Sequence, residues 1–185
     1  YRRSADTIAE RSRPVVRTKR MNRLVWLAVL LLLLLSGCAE KETTDRTSFD
    51  GHCTLSISCE TALQNSDRLD PGKLEILPAD GWILPETEIA FQTGESVFDL
   101  LSRVCREKKI HMAFQVTPVY GSAYIEGINN LYEFDCGDLS GWMYSVNGVF
   151  PNVGCSQVQA AEGDVICFVY TCDLGADVGG ADAAN

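Results

Sequence analysis

Cysteine has the widest chemistry of the residue types in this sequence, because a thiol can attack a substrate, bind metal, form a disulfide or carry a lipid. The 185 residues include eight cysteines but only two histidines, His52 and His111. No two cysteines have C-x-x-C spacing. The sequence therefore gives no indication of a thioredoxin-like redox site, a zinc ribbon or a histidine-based metal site.

The first cysteine, Cys38, is predicted to carry a lipid. It ends the segment Leu35-Ser36-Gly37-Cys38, in which small residues precede the cysteine as in the lipobox of bacterial lipoproteins. The apolar run before it covers 12 residues, from Leu24 to Leu35. A membrane-spanning helix needs about 20 apolar residues, so this run suits the core of a secretory signal. We expect residues 21–37 to be a lipoprotein signal peptide that is cleaved before Cys38.

The seven remaining cysteines predict a disulfide framework, because export would place them where disulfides persist. Six of them can form three bridges, which leaves one free thiol. Six cysteines allow 15 connectivities, so the sequence does not determine the pairing.

Composition and charge indicate which parts of the chain lie outside the folded domain. Residues 1–20 precede Met21 and hold seven Lys and Arg, and we interpret them as translated upstream sequence rather than a basic arm for nucleic acid. Without residues 1–37 the chain keeps eight basic and 23 acidic residues, a net charge of −15. Such a charge repels a phosphate backbone, so nucleic acid is not an expected partner. We expect a polar tether at 38–52 and a flexible, Gly-rich tail at 175–185.

The folded domain is predicted to be α+β and to cover residues 53–174. Alternating apolar residues in "CTLSISC" predict a first strand, and "GDVICFVYTC" predicts a last one. Between them, apolar residues at helical spacing in "ESVFDLLSRVCREKK" predict one helix, with Ser96 as its N-terminal cap. We expect a β-grasp-like fold, in which this helix packs on a mostly antiparallel, disulfide-stapled sheet. The last strand of such a fold usually lies beside the first, which would bring Cys59 near Cys172.

The segment "WMYSVNGVFPNV" predicts a hairpin around Asn147-Gly148. Side chains alternate across a strand, so Trp142 and Tyr144 would share one continuous apolar face that packs under the helix. Met143 and Phe150 would lie on the other face, as a small exposed patch or a contact surface.

Catalytic arrangements are poorly represented. There is no G-x-S-x-G motif and no glycine pattern that suits a phosphate. Cys105 and His111 could form a nucleophilic pair, but an ordinary histidine after a helix is the simpler interpretation. Four acids cluster around a turn, where a glycosidase pair and calcium ligation are alternatives to a charged turn: Glu126, Glu133, Asp135 and Asp138. We expect no enzymatic activity, no catalytic residue and no bound metal.

Several stretches taken together resemble the bacterial transcobalamin-like C-terminal domain family. They are "CTLSISC", "LPADGWILPETEI", "GESVFDLLSRVC", "YGSAYIEGINNLYEFDCGDLSGWMYSVNGVFPNVGC" and "EGDVICFVYTCDLG", which together cover about residues 53–175. The resemblance implies a lipoprotein module at the outer face of the bacterial cell membrane. It also implies that six cysteines occupy family positions and form the disulfides: Cys53, Cys59, Cys105, Cys136, Cys155 and Cys172. Cys167 departs from the family pattern and becomes the predicted free thiol.

A more distant resemblance links the sequence to the β domain of the transcobalamin and intrinsic factor family. Tyr120-Gly121 before Ile128-Asn129-Asn130 matches an aromatic-Gly pair before an Ile-Asn-Asn step in that family. The resemblance implies that the domain contacts one face of cobalamin or another corrinoid. The alternative is that Tyr120, Tyr124 and the two asparagines only build a turn, as Asn side chains do unaided.

From these observations we predict a cell-surface lipoprotein that carries a non-catalytic ligand-binding module. Its expected partners are the membrane, through the lipid anchor, and a corrinoid or a transporter subunit. The expected ligand-binding residues are Tyr120, Gly121, Tyr124, Asn129, Asn130, Trp142, Met143 and Phe150. The alternative function is a surface protein–protein interaction or adhesion module with no small-molecule ligand.

The lipid anchor can be tested with Cys38→Ala. Two or more acyl chains anchor a protein stably, at about 0.8 kcal/mol per buried methylene. We expect the wild-type protein to enter the detergent phase on phase separation and to have an intact mass that includes the lipid. Cys38→Ala should lose both properties, whereas the control Cys167→Ala should keep them. Retention of Cys38→Ala in the membrane fraction would contradict the prediction.

Overall fold

The computed structural model describes residues 49–117 and 121–183. The predicted signal peptide, Cys38 and most of the tether lie outside these residues, and so does Tyr120. No helix in the described part of the chain is both long and apolar enough to cross a membrane.

Seven strands and three helices make up the described residues. The strands are β1 (Gly51–Ser58), β2 (Trp82–Phe91), β3 (Met112–Thr117), β4 (Ser122–Ile128), β5 (Leu131–Tyr132), β6 (Gly141–Val146) and β7 (Val165–Thr171). The helices are α1 (Glu60–Gln64), α2 (Pro71–Leu74) and α3 (Val97–Lys108). Together they form an α+β fold, which confirms the predicted class.

The strands form two sheets, with the orders β2-β1-β7-β6 and β3-β4-β5. In the four-stranded sheet, β1 pairs antiparallel with β2 and parallel with β7. Leu55 lies opposite Ile166 and Ile57 opposite Phe168. The last strand therefore lies beside the first, as the β-grasp-like order predicted.

The predicted helix is α3, and its ends explain its length. The Ser96 hydroxyl accepts a hydrogen bond from the Asp99 N–H at 3.1 Å, and the Asp99 carboxylate accepts one from the Ser96 N–H at 3.2 Å. This capping box satisfies free N–H groups at the start of the helix. Lys109 ends the helix in the left-handed conformation, at φ 58°. The buried face of α3 covers the four-stranded sheet with Val97, Leu100, Leu101, Val104 and Cys105.

The Asn147-Gly148 turn is present, but the strand after it is not. Val146 and Val149 exchange both backbone hydrogen bonds across the turn, at 2.9 and 3.0 Å. Beyond that point β6 pairs with β7 over six residues, from Gly141 opposite Thr171 to Val146 opposite Ile166. Pro151 cannot donate to a ladder, so this edge of β6 stays unpaired beyond the turn, and β6 pairs with β7 along its other edge. The predicted pairing of residues 142–146 with 149–153 is therefore wrong beyond the turn.

Trp142 and Tyr144 pack against the core, as their alternation predicted. The Trp142 ring lies 5.3 Å from the Tyr170 ring in an edge-to-face arrangement, and Tyr144 stacks on Phe168 at 5.7 Å. Both side chains remain half-buried, because β6 is an edge strand of its sheet.

All seven cysteines of the described residues are free thiols, so the structure contains no disulfide there. Six are buried and divide equally between two hydrophobic clusters: Cys53, Cys105 and Cys155 in one, and Cys59, Cys136 and Cys172 in the other. Each cluster holds three cysteines, so three disulfides among these six would need at least one bridge between the clusters. The three-disulfide framework stays a prediction. Cys167, the expected free thiol, is half-buried in β7.

The residues after Leu174 fold back onto the outer face of β6, where the sequence predicted a flexible tail. Gly180 lies against Met143 and Phe150, so closely that a Cβ there would be 3.0 Å or less from their side chains. The Asp177 carboxylate accepts a hydrogen bond from the Cys172 N–H at 2.7 Å. Met143 and Phe150 are therefore half-buried under this segment rather than an open patch.

Candidate functional site

An apolar groove of about 390 Å³ lies at the free edge of β6. It is lined by Tyr124 of β4, by the start of β6, and by the segments that follow β5 and β7. Trp142 and Met143, which point to opposite faces of β6, both reach the groove. Its large apolar lining residues are Tyr124, Phe134, Leu139, Trp142, Met143 and Leu174.

Four of these side chains expose much of their apolar surface around the groove. The exposed fractions are 49% for Tyr124, 61% for Phe134, 44% for Leu139 and 53% for Leu174. Single exposed apolar residues are common on protein surfaces, but a group around a concavity marks a contact or ligand site.

Phe134 and Leu174 have backbone conformations that bulky residues rarely adopt, with φ values of 68° and 45°. A residue held in such a region costs about 1–3 kcal/mol, and this strain collects at functional sites. Backbone hydrogen bonds to one loop hold both residues. The Phe134 N–H donates to the Ser140 carbonyl at 3.0 Å, and the Leu174 N–H donates to the Leu139 carbonyl at 2.9 Å.

Hydrogen bonds beneath the groove fix the loop of residues 134–140. The Ser140 hydroxyl donates to the Gly137 carbonyl at 2.7 Å and accepts from the Cys136 N–H at 3.0 Å. The Tyr170 hydroxyl donates to the Tyr132 carbonyl at 2.7 Å. Within residues 49–117 and 121–183, no buried side-chain nitrogen or oxygen lacks a hydrogen-bond partner. The exposed residues Phe134, Leu139 and Leu174 form the rim of the groove. The rim is therefore supported by segments whose buried polar side chains are all hydrogen-bonded.

Tyr124 is fixed from its hydroxyl end, so that its ring faces the groove. The hydroxyl donates to the Glu133 carboxylate. Burial, followed by this hydrogen bond, raises the pKa of Tyr124 to about 12. The phenol is therefore neutral at physiological pH and presents an aromatic face rather than a charge.

Three of the four clustered acids have separate structural partners. Glu133 accepts from Tyr124, Glu126 accepts from the Gln115 side chain, and Asp135 pairs with Lys73 at 2.9 Å. Asp138 lines the groove. No group of three or more His, Cys, Asp or Glu in the described part could hold a metal ion. The arrangement favours the charged-turn interpretation of these acids.

The structure brings three of the eight expected ligand residues together at the groove, namely Tyr124, Trp142 and Met143. The Trp142 indole N–H is already used by the Leu131 carbonyl, at 2.9 Å. Trp142 can therefore offer apolar surface but not this donor.

Tyr120 is outside the described residues, and the other four expected ligand residues lie away from the groove. Asn129 and Asn130, at φ 51° and 61°, form the two-residue turn between β4 and β5. Gly121 has a φ of 58°, and no atom lies within 4 Å of the position that a Cβ would occupy. Its left-handed backbone therefore favours glycine, and no close neighbour contributes to that preference. Phe150 lies under Gly180.

Sequence reasoning missed three groove residues, Phe134, Leu139 and Leu174. Each stands alone among acids, glycines or serine, in "EFDCGDLSG" and "CDLGAD". Isolated apolar residues in polar loops were the available signal, but neither a helical nor a strand period includes them.

Residues 94–171 match a domain of unknown function, DUF4430. The match runs from just before α3 to the end of β7, so it includes most of the groove. A sequence search of curated proteins found no match. The match covers less than half of the chain, and its description names no function.

Two solved structures are remotely similar. One is haptocorrin in complex with Cbi, with 10% sequence identity and a TM-score of 0.46 over 65% of this chain. This chain spans a quarter, 25%, of that haptocorrin chain. The other is a candidate metal-binding protein from Ruminococcus gnavus ATCC 29149, with 15% identity and a TM-score of 0.40. The similarity to the second covers 66% of this chain and 97% of that one.

The strain at the rim predicts an unusual response to glycine. Leu174→Gly and Phe134→Gly should each raise the free energy of unfolding by about 1 kcal/mol, because glycine adopts positive φ without the left-handed penalty and little burial is lost. Leu139 has an ordinary φ, so Leu139→Gly should destabilise by about 0.5–1 kcal/mol. Urea unfolding measures all three. Destabilisation by Leu174→Gly equal to that of the Leu139→Gly control would contradict the strain.

Proposed function

We propose that this chain carries a non-catalytic binding module whose apolar groove contacts the flat face of an organic ligand, with corrinoids as the first class to test. One observation carries the proposal, namely an exposed apolar groove whose strained rim residues are held on a hydrogen-bonded base. Such a rim forms before the ligand arrives, which lowers the entropy cost of binding.

The shape of the groove sets the class of ligand and its affinity. Its volume of about 390 Å³ is near the lower end of ligand sites, roughly 300–1,000 Å³. Tyr124 and Phe134 offer aromatic faces on which a planar group can stack. Because the groove is open to solvent, it covers one side of a ligand. We expect a dissociation constant in the micromolar range, about −8 kcal/mol.

The module is proposed to act at the outer face of the cell membrane. The lipobox-like segment that ends at Cys38 and the acidic charge of the chain support an exported, lipid-anchored protein. A transporter subunit that covers the open side of the groove would complete the site and raise the affinity.

The second candidate is a protein–protein interaction module. An apolar side chain of another surface protein could fill the groove in place of a small molecule. This function is favoured by the four exposed apolar residues around the groove, which are Tyr124, Phe134, Leu139 and Leu174.

Calorimetry with cobinamide and with cobalamin tests the proposed function. The wild-type protein should bind with a micromolar dissociation constant. Phe134→Ala and Tyr124→Ala should each weaken binding about tenfold, since a buried aromatic contact contributes about 0.5–1.5 kcal/mol beyond its area. The matched control is Val116→Ala, which removes an apolar side chain that is 64% exposed on β3, outside the groove.

The result that contradicts a corrinoid ligand is the absence of both heat and thermal shift at millimolar concentration. Equal affinity of the wild type and Phe134→Ala would place any binding outside the groove.

A further inference from the structure

Two buried thiols lie directly beneath the rim of the groove. The exposed fractions of Cys136 and Cys172 are 0% and 2%, and both belong to one hydrophobic cluster. Cys136 comes two residues after Phe134, and Cys172 comes two residues before Leu174. Each thiol is therefore next to one of the two strained rim residues.

The two sulfur atoms meet at the same helix. Cys136 Sγ lies 3.7 Å from the Asn65 carbonyl oxygen, and Cys172 Sγ lies 3.7 Å from the Thr61 carbonyl oxygen. Thr61 lies in α1 and Asn65 directly follows it, and the Asn65 N–H donates to the Thr61 carbonyl at 3.1 Å, so the two carbonyls belong to one short helical turn. After burial, the neighbouring Cys136 thiol is the next cause that raises the pKa of Cys172.

Arg68 joins the backbones that carry the two thiols. Its guanidinium donates to the Cys172 carbonyl at 3.5 Å. The same guanidinium lies against Gly137, where a Cβ would be 2.4 Å from it. The two segments are therefore held side by side independently of sulfur chemistry.

Burial is the main cause that raises the pKa of the other four buried cysteines, Cys53, Cys59, Cys105 and Cys155, to about 11 in each case. No second thiol is among the neighbours that shift these four pKa values. Cys172 differs, because the Cys136 thiol also raises its pKa.

We propose that Cys136 and Cys172 form a disulfide when the chain reaches an oxidising compartment, and that this bridge clamps both sides of the groove rim. The first part stands on the thiol geometry alone, and the second part rests on the proposed function of the groove. The bridge would link the loop of residues 134–140 to the chain segment that follows β7.

The redox chemistry needs a disulfide oxidant, either a thiol–disulfide oxidoreductase or a small-molecule disulfide. One cysteine thiolate attacks the oxidant and releases one of its thiols, which leaves a mixed disulfide. The second cysteine, after losing its proton, attacks that mixed disulfide and releases the other thiol. The two cysteines thus lose two protons and two electrons, and the oxidant is reduced to two thiols.

Burial restricts both the formation and the reduction of this disulfide. The raised pKa of Cys172 leaves little thiolate there, and Cys136 is completely buried, so exchange requires the loop of residues 134–140 to open or to be still unfolded. Once closed, the bridge is shielded from reductants in the same way. Without it, the positive-φ backbone of Phe134 and Leu174 depends on single hydrogen bonds to Ser140 and Leu139.

Peptide mapping tests the bridge itself. After export, the full chain is purified in detergent and alkylated in denaturant without reductant. It is then cleaved with a protease that cuts on the N-terminal side of each aspartate. This digestion isolates Cys136 in residues 135–137, and it places Cys167 and Cys172 together in residues 164–172. We expect these two peptides to be linked in the wild type and in Cys167→Ser, but not in Cys172→Ser. Alkylated Cys136, or Cys136 linked to any other peptide, would overturn the bridge.

Fluorescence titration with 1-anilinonaphthalene-8-sulfonate, a probe of apolar surface, tests the clamp. Reduction of the wild type should weaken probe binding at least fivefold, and Cys136→Ser should match the reduced wild type. Phe134→Ala should remove this redox dependence, and Cys167→Ser should keep it. Circular dichroism confirms that each sample remains folded.

The outcomes separate the two parts of the proposal. If the two peptides are linked but reduction leaves probe binding unchanged, the disulfide is supported and its proposed effect on the groove rim is contradicted. A linked peptide in a protein that binds neither probe nor corrinoid would contradict the proposed function while supporting the bridge.

Discussion

The parallel pairing of β1 with β7 is the contact on which the rest of the structure depends. It joins residues near position 55 to residues near position 167, so it closes more than a hundred residues of chain between two central strands. Leu55, Ile57, Ile166 and Phe168 are all at most 1% exposed and form the floor on which α3 packs. Such long-range pairing is slow to form, because the entropy of closing the loop comes before any reward.

This pairing also sets the position of the groove. It brings the end of β7 beside α1, which directly follows β1, and so places Cys172 and Leu174 next to the loop of residues 134–140. The rim residues Phe134 and Leu174 belong to different segments, yet both hydrogen-bond to the same two-residue stretch, Leu139-Ser140. A strained, exposed and apolar rim persists only where surrounding structure determines it, and the rigid end of this sheet provides that support.

Much of the framework could be predicted from residues that follow a period or a turn rule. The capping box at Ser96, the apolar face of α3 and the Asn147-Gly148 turn follow local rules. The adjacency of the first and last strands followed from the order of the elements, which is typical of a β-grasp-like fold. The core role of Trp142 and Tyr144 followed from alternation alone. The pairing of β6 with β7 could not be predicted in this way, because a turn signal specifies the residues at the turn and not which distant strand lies beside the strand that precedes it.

The groove was only half predictable. Tyr124, Trp142 and Met143 were expected as ligand residues, since strands and their aromatic residues are visible in the sequence. Phe134, Leu139 and Leu174 were missed because their positions depend on two irregular segments that meet through β7. The fold-back of residues 175–183 onto Met143 and Phe150 was hidden for the same reason, since a Gly- and Asp-rich composition carries no period.

Amide hydrogen exchange with and without cobinamide, followed by mass spectrometry of peptic fragments, tests whether the groove is the binding surface. We expect slower exchange in two separate segments, residues 133–143 and 171–175, and unchanged exchange in β3. Protection that is absent from both segments, or that is confined to β3 or β2, would contradict it.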